Sequence, residues 1–300
     1  MSALLLVLVA AAHGQSPTPA EFETQAVLRW DALEDAMRNV RGRVLYRRMY
    51  EKETTKEVLF KFRDAGFGVT ESTDTTDEKN KPKTIVGRND RYVFDLQAVN
   101  DSDPIVRMLD FSRHDEVKFK LEVWTVAVRP WQLGNQRLRD IIHMEGFAIG
   151  GIEPTDTGVL ISFDYKAASE SAPKLLGGIE TGTMEFTKDW LLTRFEGRYP
   201  NGTGAAGTSF EYKGELQPGV PRVSQVVYFA VGTDPKDRLT EEFTVVELEL
   251  ANVAYEEFTL SHYGLPEPGG SSNNLLRNLV IGAIVCGVIA IGLRLWSRRR

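Results

Sequence analysis

The first clear period in the chain is that of a helix. Phe22, Ala26, Trp30, Leu33, Met37 and Val40 recur at steps of four and three, which places them on one stripe of an α-helix. Thr18-Pro19-Ala20-Glu21 has the form of a capping box, with Thr18 as N-cap, proline at the first helical position and Glu21 three residues on. Gly42 supplies a stop. The pattern predicts a helix of about 22 residues whose apolar side must lie against another element.

Beyond Gly42 the period falls to two. Val117, Phe119, Leu121 and Val123 alternate with Lys118, Lys120 and Glu122, and Val159, Ile161, Phe163 and Tyr165 alternate with Leu160, Ser162, Asp164 and Lys166. Further strands are predicted over Arg43–Lys52, Glu57–Arg63, Thr84–Leu96, Thr183–Lys188, Leu191–Tyr199, Ser209–Leu216, Arg222–Val231, Glu242–Leu250 and Ala254–Leu260. That makes about eleven strands, joined by turns such as Lys79–Pro82 and Asp234–Asp237. One short helix is predicted within Asn135–Met144. Strands without intervening helices argue against a parallel α/β sheet, and no repeat of fixed period is present. The expected fold is mainly β (α+β): a large antiparallel curved sheet with the N-terminal helix packed on it.

The two ends follow a different pattern. Leu4 to Ala12 reads LLLVLVAAA, too short to span a bilayer core of about 30 Å but suited to the apolar region of a secretory signal. Small residues before Gln15 place the cleavage between Gly14 and Gln15, so residues 1–14 are expected to be a signal peptide, although Met1-Ser2 lacks the usual basic charge. Asn278 to Leu293 is free of charge for 16 residues, about 24 Å of helix. With Arg277 and Arg294 snorkelling outward and Leu295-Trp296 reaching the interface, residues 275–296 are expected to form a transmembrane helix. Arg298, Arg299 and Arg300 then put residues 297–300 on the cytoplasmic side. Gly282, Cys286 and Ala290 at four-residue spacing would allow a weak homodimer through this helix. Residues 264–274, with Pro266, Pro268 and three glycines, form a tether, leaving 15–263 as an extracytoplasmic domain.

Charge sharpens that division. The whole chain has 36 basic and 42 acidic residues, a net charge of −6. Five arginines and no acidic residue lie beyond Asn274, so the body carries 31 basic against 42 acidic residues, a net of −11. An acidic body argues against nucleic-acid binding. A single cysteine excludes an intramolecular disulfide framework or a cysteine-rich metal site, and His13, His114, His143 and His262 lack ligand spacing.

Candidate chemistry is sparse. Gly202-Thr-Gly-Ala-Ala-Gly207 has the letters of a dinucleotide-binding loop, but Pro200-Asn201 precedes it and strand-like residues follow, so a hairpin loop is expected. His114-Asp115-Glu116 are consecutive and alternate in direction, so they cannot converge on one metal. His143 and Glu145 would lie close at the end of the short helix. No catalytic residue, metal site or cofactor is assigned, and no enzyme activity is expected. The aromatics are the richest resource. Trp30, Leu33, Met37, Phe119, Trp124, Phe163, Phe186 and Trp190 are the candidate lining of an apolar cavity between helix and sheet, or the packing of a closed core.

A secretory signal, a long amphipathic helix and a meander of antiparallel strands resemble the bacterial lipoprotein-carrier superfamily. The likeness spans about Thr18 to His262. It implies an unclosed half-barrel with the helix in its concavity; the classical carriers are soluble or lipid-anchored, whereas the expected transmembrane tail puts this chain in the bacterial inner membrane, with the body in the periplasm. The closing stretch Phe258-Thr-Leu-Ser-His-Tyr-Gly-Leu-Pro-Glu-Pro268 also resembles the ending of a group of bacterial envelope proteins. Two functions fit: a tethered module that binds a lipid or lipoprotein acyl chain, and a non-catalytic envelope interaction scaffold with a filled core.

Overall fold

The computed structural model describes residues 17–64, 66–76, 79, 81–100, 102–112, 121, 126–169, 174–232 and 238–268. The signal, Phe119 and Trp124 with most of the alternation around them, His114-Asp115-Glu116, the turn at 234–237 and the membrane segment lie outside the described residues. The chain divides into two units, Met1–Val253 and Ala254–Arg300.

In the first unit, α1 (Pro19–Ala36) begins as its cap dictates. The Thr18 Oγ1 accepts from the Glu21 N–H at 3.3 Å, and the Glu21 carboxylate accepts from the Thr18 N–H at 2.8 Å. The helix is 18 residues long and ends before Gly42. Met37 caps it by donating to the Leu33 carbonyl, and Asn39 opens β1 (Asn39–Met49). Val40 stays buried, but as a strand residue between Phe62 and Leu250, where a β-branched side chain suits a pleated ladder. Gly42 is therefore a strand glycine, and the ring of Phe60 occupies the space a Cβ would need.

The remaining strands are β2 (Thr54–Arg63), β3 (Phe67–Asp74), β4 (Pro82–Arg88), β5 (Val93–Val99), β6 (Ile105–Asp110), the short hairpin β7 (Gln132–Leu133) and β8 (Gln136–Arg137), then β9 (Phe147–Pro154), β10 (Gly158–Tyr165), β11 (Thr181–Thr187), β12 (Leu192–Arg198), β13 (Ala205–Gln217), β14 (Val220–Val231) and β15 (Arg238–Leu250). The short helix α2 (Leu138–Ile142) follows β8, within the predicted window. Thirteen strands form one antiparallel sheet in the order β6-β5-β4-β3-β2-β1-β15-β14-β13-β12-β11-β10-β9. Two meanders meet where the first and last strands pair, Val40 opposite Leu250 and Tyr46 opposite Phe243. The sheet is curved and unclosed: among the described residues its ends, β6 and β9, are each hydrogen-bonded on one side only.

Three expectations need correction. Thr84–Leu96 is two strands, because the Asn89 side chain accepts from the N–H groups of Arg91 and Tyr92 and reverses the chain. The count is thirteen in the main sheet, since β3, β6 and β9 lack clean alternation: β3 carries Thr70 and Ser72, and β9 contains Gly150-Gly151 and Pro154. Ala254–Leu260, in the second unit, is not a strand. Two 3-10 turns (Tyr255–Phe258 and Leu260–Tyr263) form there, with the Thr259 hydroxyl donating to the Glu256 carbonyl at 2.6 Å. Such local side-chain bonds compete with a ladder.

The core lies on the inner face of the sheet. Phe22, Ala26, Trp30 and Leu33 of α1 pack with inward residues such as Val44, Phe60, Phe186, Phe195 and Phe243. The connection from β6 to β9 adds Val128, Trp131, Leu138 and Ile141 to the same cluster. Ion pairs fasten this connection to the helix: Arg137 to Glu34 at 2.9 Å, and Arg139 to Asp31.

Candidate functional site

The predicted cavity residues separate into groups. Trp30, Phe186 and Trp190 come together around Phe22, with ring centroids 5.5–6.0 Å apart. The indole of Trp30 donates to the Trp190 carbonyl at 2.8 Å, and Trp30 is only 2% exposed. Phe163 stands apart, stacked between Phe147 at 5.3 Å and Phe195 at 5.9 Å. Leu33 is buried in the helix–sheet contact, and Met37 borders a separate cleft at the end of α1. Phe119 and Trp124 lie outside the described residues.

The cleft beside Met37 has a volume of about 720 Å³ and charged walls, with Asp31, Glu34 and Asp35 facing Arg38, Arg137 and Arg139. These charges pair with one another: Arg38 with Asp35 at the end of α1, and Arg137 and Arg139 with Glu34 and Asp31, which fastens β8 and α2 to α1. Among the described residues, no group of three His, Cys, Asp or Glu side chains is placed to hold a metal. Gly202-Thr-Gly204 lies in the loop between β12 and β13 and Ala205-Ala-Gly207 opens β13, the hairpin arrangement expected for it.

An apolar pocket opens elsewhere, on the inner face of β12 to β15. Its origin is a row of small side chains. The ladders align Gly197, Ala206, Ala230 and Leu239 across four strands, and the next inward row reads Phe195, Thr208, Tyr228 and Glu241. Successive inward positions are two residues apart, so the alanines leave a trough beside larger neighbours. Leu133, Gly134, Leu176 and Ile179 complete the walls, and the enclosed volume is about 220 Å³. Gln136 ties the two wall loops together: its amide oxygen accepts from the Leu176 N–H at 3.0 Å, and its nitrogen donates to the Lys174 carbonyl at 3.2 Å. Leu176 sits at φ +42°, a left-handed conformation that a branched residue rarely adopts.

One end of the pocket is polar. The Thr208 Oγ1 and the Tyr228 hydroxyl are buried near each other, and neither has a partner at hydrogen-bond geometry among the described residues. Burial pushes the Tyr228 phenol well above the ordinary tyrosine value; the nearby Thr208 hydroxyl opposes that rise and the Glu241 charge adds to it. Glu241 accepts from the Tyr46 hydroxyl at 2.7 Å and lies 3.7 Å from the Arg48 guanidinium, both through Oε1. None of these polar residues was singled out from the sequence. Their alignment depends on strand register, and a Thr, a Tyr and a Glu dispersed over thirty-odd residues carry no motif.

No family model matches the chain, and no curated protein matches it. Solved structures do resemble it. A LolA superfamily protein from Nitrosomonas europaea is 9% identical, with a TM-score of 0.45, over 79% of this chain and 99% of that one. A DUF1329 family protein from Desulfovibrio piger is 12% identical, with a TM-score of 0.48, over 82% of this chain and all of that one. A domain named for outer membrane lipoprotein sorting, from Vibrio parahaemolyticus, is 7% identical, with a TM-score of 0.45, over 80% of this chain and 97% of that one. At these values the likeness concerns the lay of the chain, and no site residue is transferred from it.

Proposed function

We propose that the protein is a non-catalytic, extracytoplasmic binding protein that holds an apolar chain, such as that of a lipid or lipoprotein, against the inner face of β12 to β15. The observation that carries this reading is the pocket of about 220 Å³ walled by Leu133, Leu176, Ile179 and Phe195. Ligand sites are apolar concavities with a few polar groups at one end, usually of about 300–1,000 Å³, so this one suits a single alkyl segment. In the same reading residues 275–296 tether the domain to the bacterial inner membrane, with the body in the periplasm and residues 297–300 in the cytoplasm; the apolar run and its flanking arginines support this placement.

The test is uptake of a neutral, environment-sensitive dye, N-phenyl-1-naphthylamine. The wild type is expected to enhance its fluorescence. Ala230→Phe, which fills the trough, is expected to abolish the enhancement while keeping the thermal midpoint of the wild type. Native mass spectrometry of the purified protein should also detect a co-purified amphiphile. If neither dye nor amphiphile binds, the binding reading fails. An envelope scaffold then remains, a reading favoured by the tight packing of Phe22, Trp30, Phe186 and Trp190.

A further inference from the structure

We infer that this pocket selects single-chain amphiphiles whose head carries a hydrogen-bond donor, such as a hydroxyl, an amide or an ammonium, and rejects free carboxylates. The inference rests on the binding reading above and adds the chemistry of the ligand's head. It follows from what stands at the polar end. Thr208 is 2% exposed, and its hydroxyl and that of Tyr228, on paired positions of β13 and β14, have no partner at hydrogen-bond geometry among the described residues. A buried hydroxyl left unsatisfied is destabilising, and a bound head group would remove that penalty.

The third group sets the sign. Glu241 lines the pocket, and among the described residues its Oε1 is engaged by Tyr46 and Arg48. An ionised carboxylate accepts hydrogen bonds and donates none. The lining residues include no Lys, Arg or His; Arg48 meets Glu241 from outside the lining. An anionic head would therefore lie beside a like charge among apolar walls, and among the described lining residues no cation offsets the loss of water, Arg48 being engaged with Glu241 Oε1. A head with an N–H or O–H can donate to the Glu241 carboxylate and accept from the Tyr228 or Thr208 hydroxyl. The phenol of Tyr228 remains protonated at neutral pH, because burial raises its pKa, and so keeps its donor.

The experiment is a competition on the full-length chain in lipid nanodiscs, with empty nanodiscs as blank. Bound N-phenyl-1-naphthylamine is displaced at pH 7.5 by 1-octanol, octanamide, octylammonium or octanoate. The first three are expected to displace it at concentrations about tenfold below octanoate, as like-charge juxtaposition requires. Glu241→Gln is expected to bring octanoate to within about threefold of octanol, since the amide removes the repelling charge. Thr208→Val, which keeps the side-chain shape, is expected to weaken octanol more than octanoate and serves if Glu241→Gln fails to fold. Octanoate displacing the dye as well as octanol does, or an unchanged preference in both variants, overturns the inference while leaving the binding reading intact. No dye uptake by the wild type overturns both.

Discussion

At the level of single residues, Trp30 joins helix and sheet most tightly. Its ring packs on Phe22 and Phe186, and its indole N–H meets the Trp190 carbonyl. Trp30→Ala is expected to lower the unfolding free energy by about 3–5 kcal/mol, as cavity-forming aromatic truncations do, measured by urea denaturation. Tyr228→Phe should behave in the opposite way. Its hydroxyl is buried without a partner, so removing it is expected to leave stability within about 0.5 kcal/mol of the wild type, or to raise it. Tyr46 adds a pH dependence. Burial, and then the hydrogen bond to Glu241, raise its pKa above the ordinary value of 10.0. The unfolded chain therefore releases this proton first as pH rises, so the contribution of Tyr46 is complete below about pH 10 and is lost above it. Tyr46→Phe is expected to flatten the fall in thermal midpoint between about pH 9.5 and 11.

Among elements, the strands share one device. Gly42, Gly68, Gly87, Gly182 and Gly207 each lie opposite a phenylalanine in the neighbouring strand: Phe60, Phe62, Phe94, Phe163 and Phe229. In every case the ring occupies the place of the missing Cβ. Glycine opposite an aromatic permits bending while the ring keeps the ladder covered, which suits a curved sheet. At Gly87 a Cβ would fall 2.0 Å from the Phe94 ring, so Gly87→Val is expected to cost about 1–3 kcal/mol through overpacking, read as an earlier urea midpoint. The helix shows how far local pattern reaches. Its start was legible to the residue, because Thr18, Pro19 and Glu21 satisfy the first turn from within the segment. Its end was not: Met37 and Val40 continue the apolar spacing, and only the pairing of Val40 with Phe62 and Leu250 turns the second of them into a strand residue.

In the whole molecule, the defining step is the closure of the two meanders by β1 and β15, nearly two hundred residues apart. It leaves β6 and β9, adjacent in chain order within the main sheet, at opposite ends of that sheet. Described residues of the chain between them, Trp131, Leu133 and Leu138, join the core on the inner face. The pocket depends on this connection. Leu133 and Gly134 come from it, and Gln136 holds it to Lys174 and Leu176. Gln136→Ala is therefore expected to weaken dye uptake several-fold with a thermal midpoint close to that of the wild type, since side-chain hydrogen bonds contribute about 1 kcal/mol each.

Periodicity is a local property and reveals what a period can express: one capped helix, then a β protein whose inward residues are aromatic and branched. Trp30, Leu33, Met37, Phe163 and Phe186 were legible as buried for that reason. The pocket was not, because its floor depends on which residues stand side by side. Ala206 and Ala230 are unremarkable within β13 and β14, and become a trough only when register sets them in one row beside Gly197. The same register brings Thr208, Tyr228 and Glu241 to one end of it. A slip of one residue would send each of those side chains to the opposite face, so the tertiary pairing alone decided where the protein keeps room for a ligand.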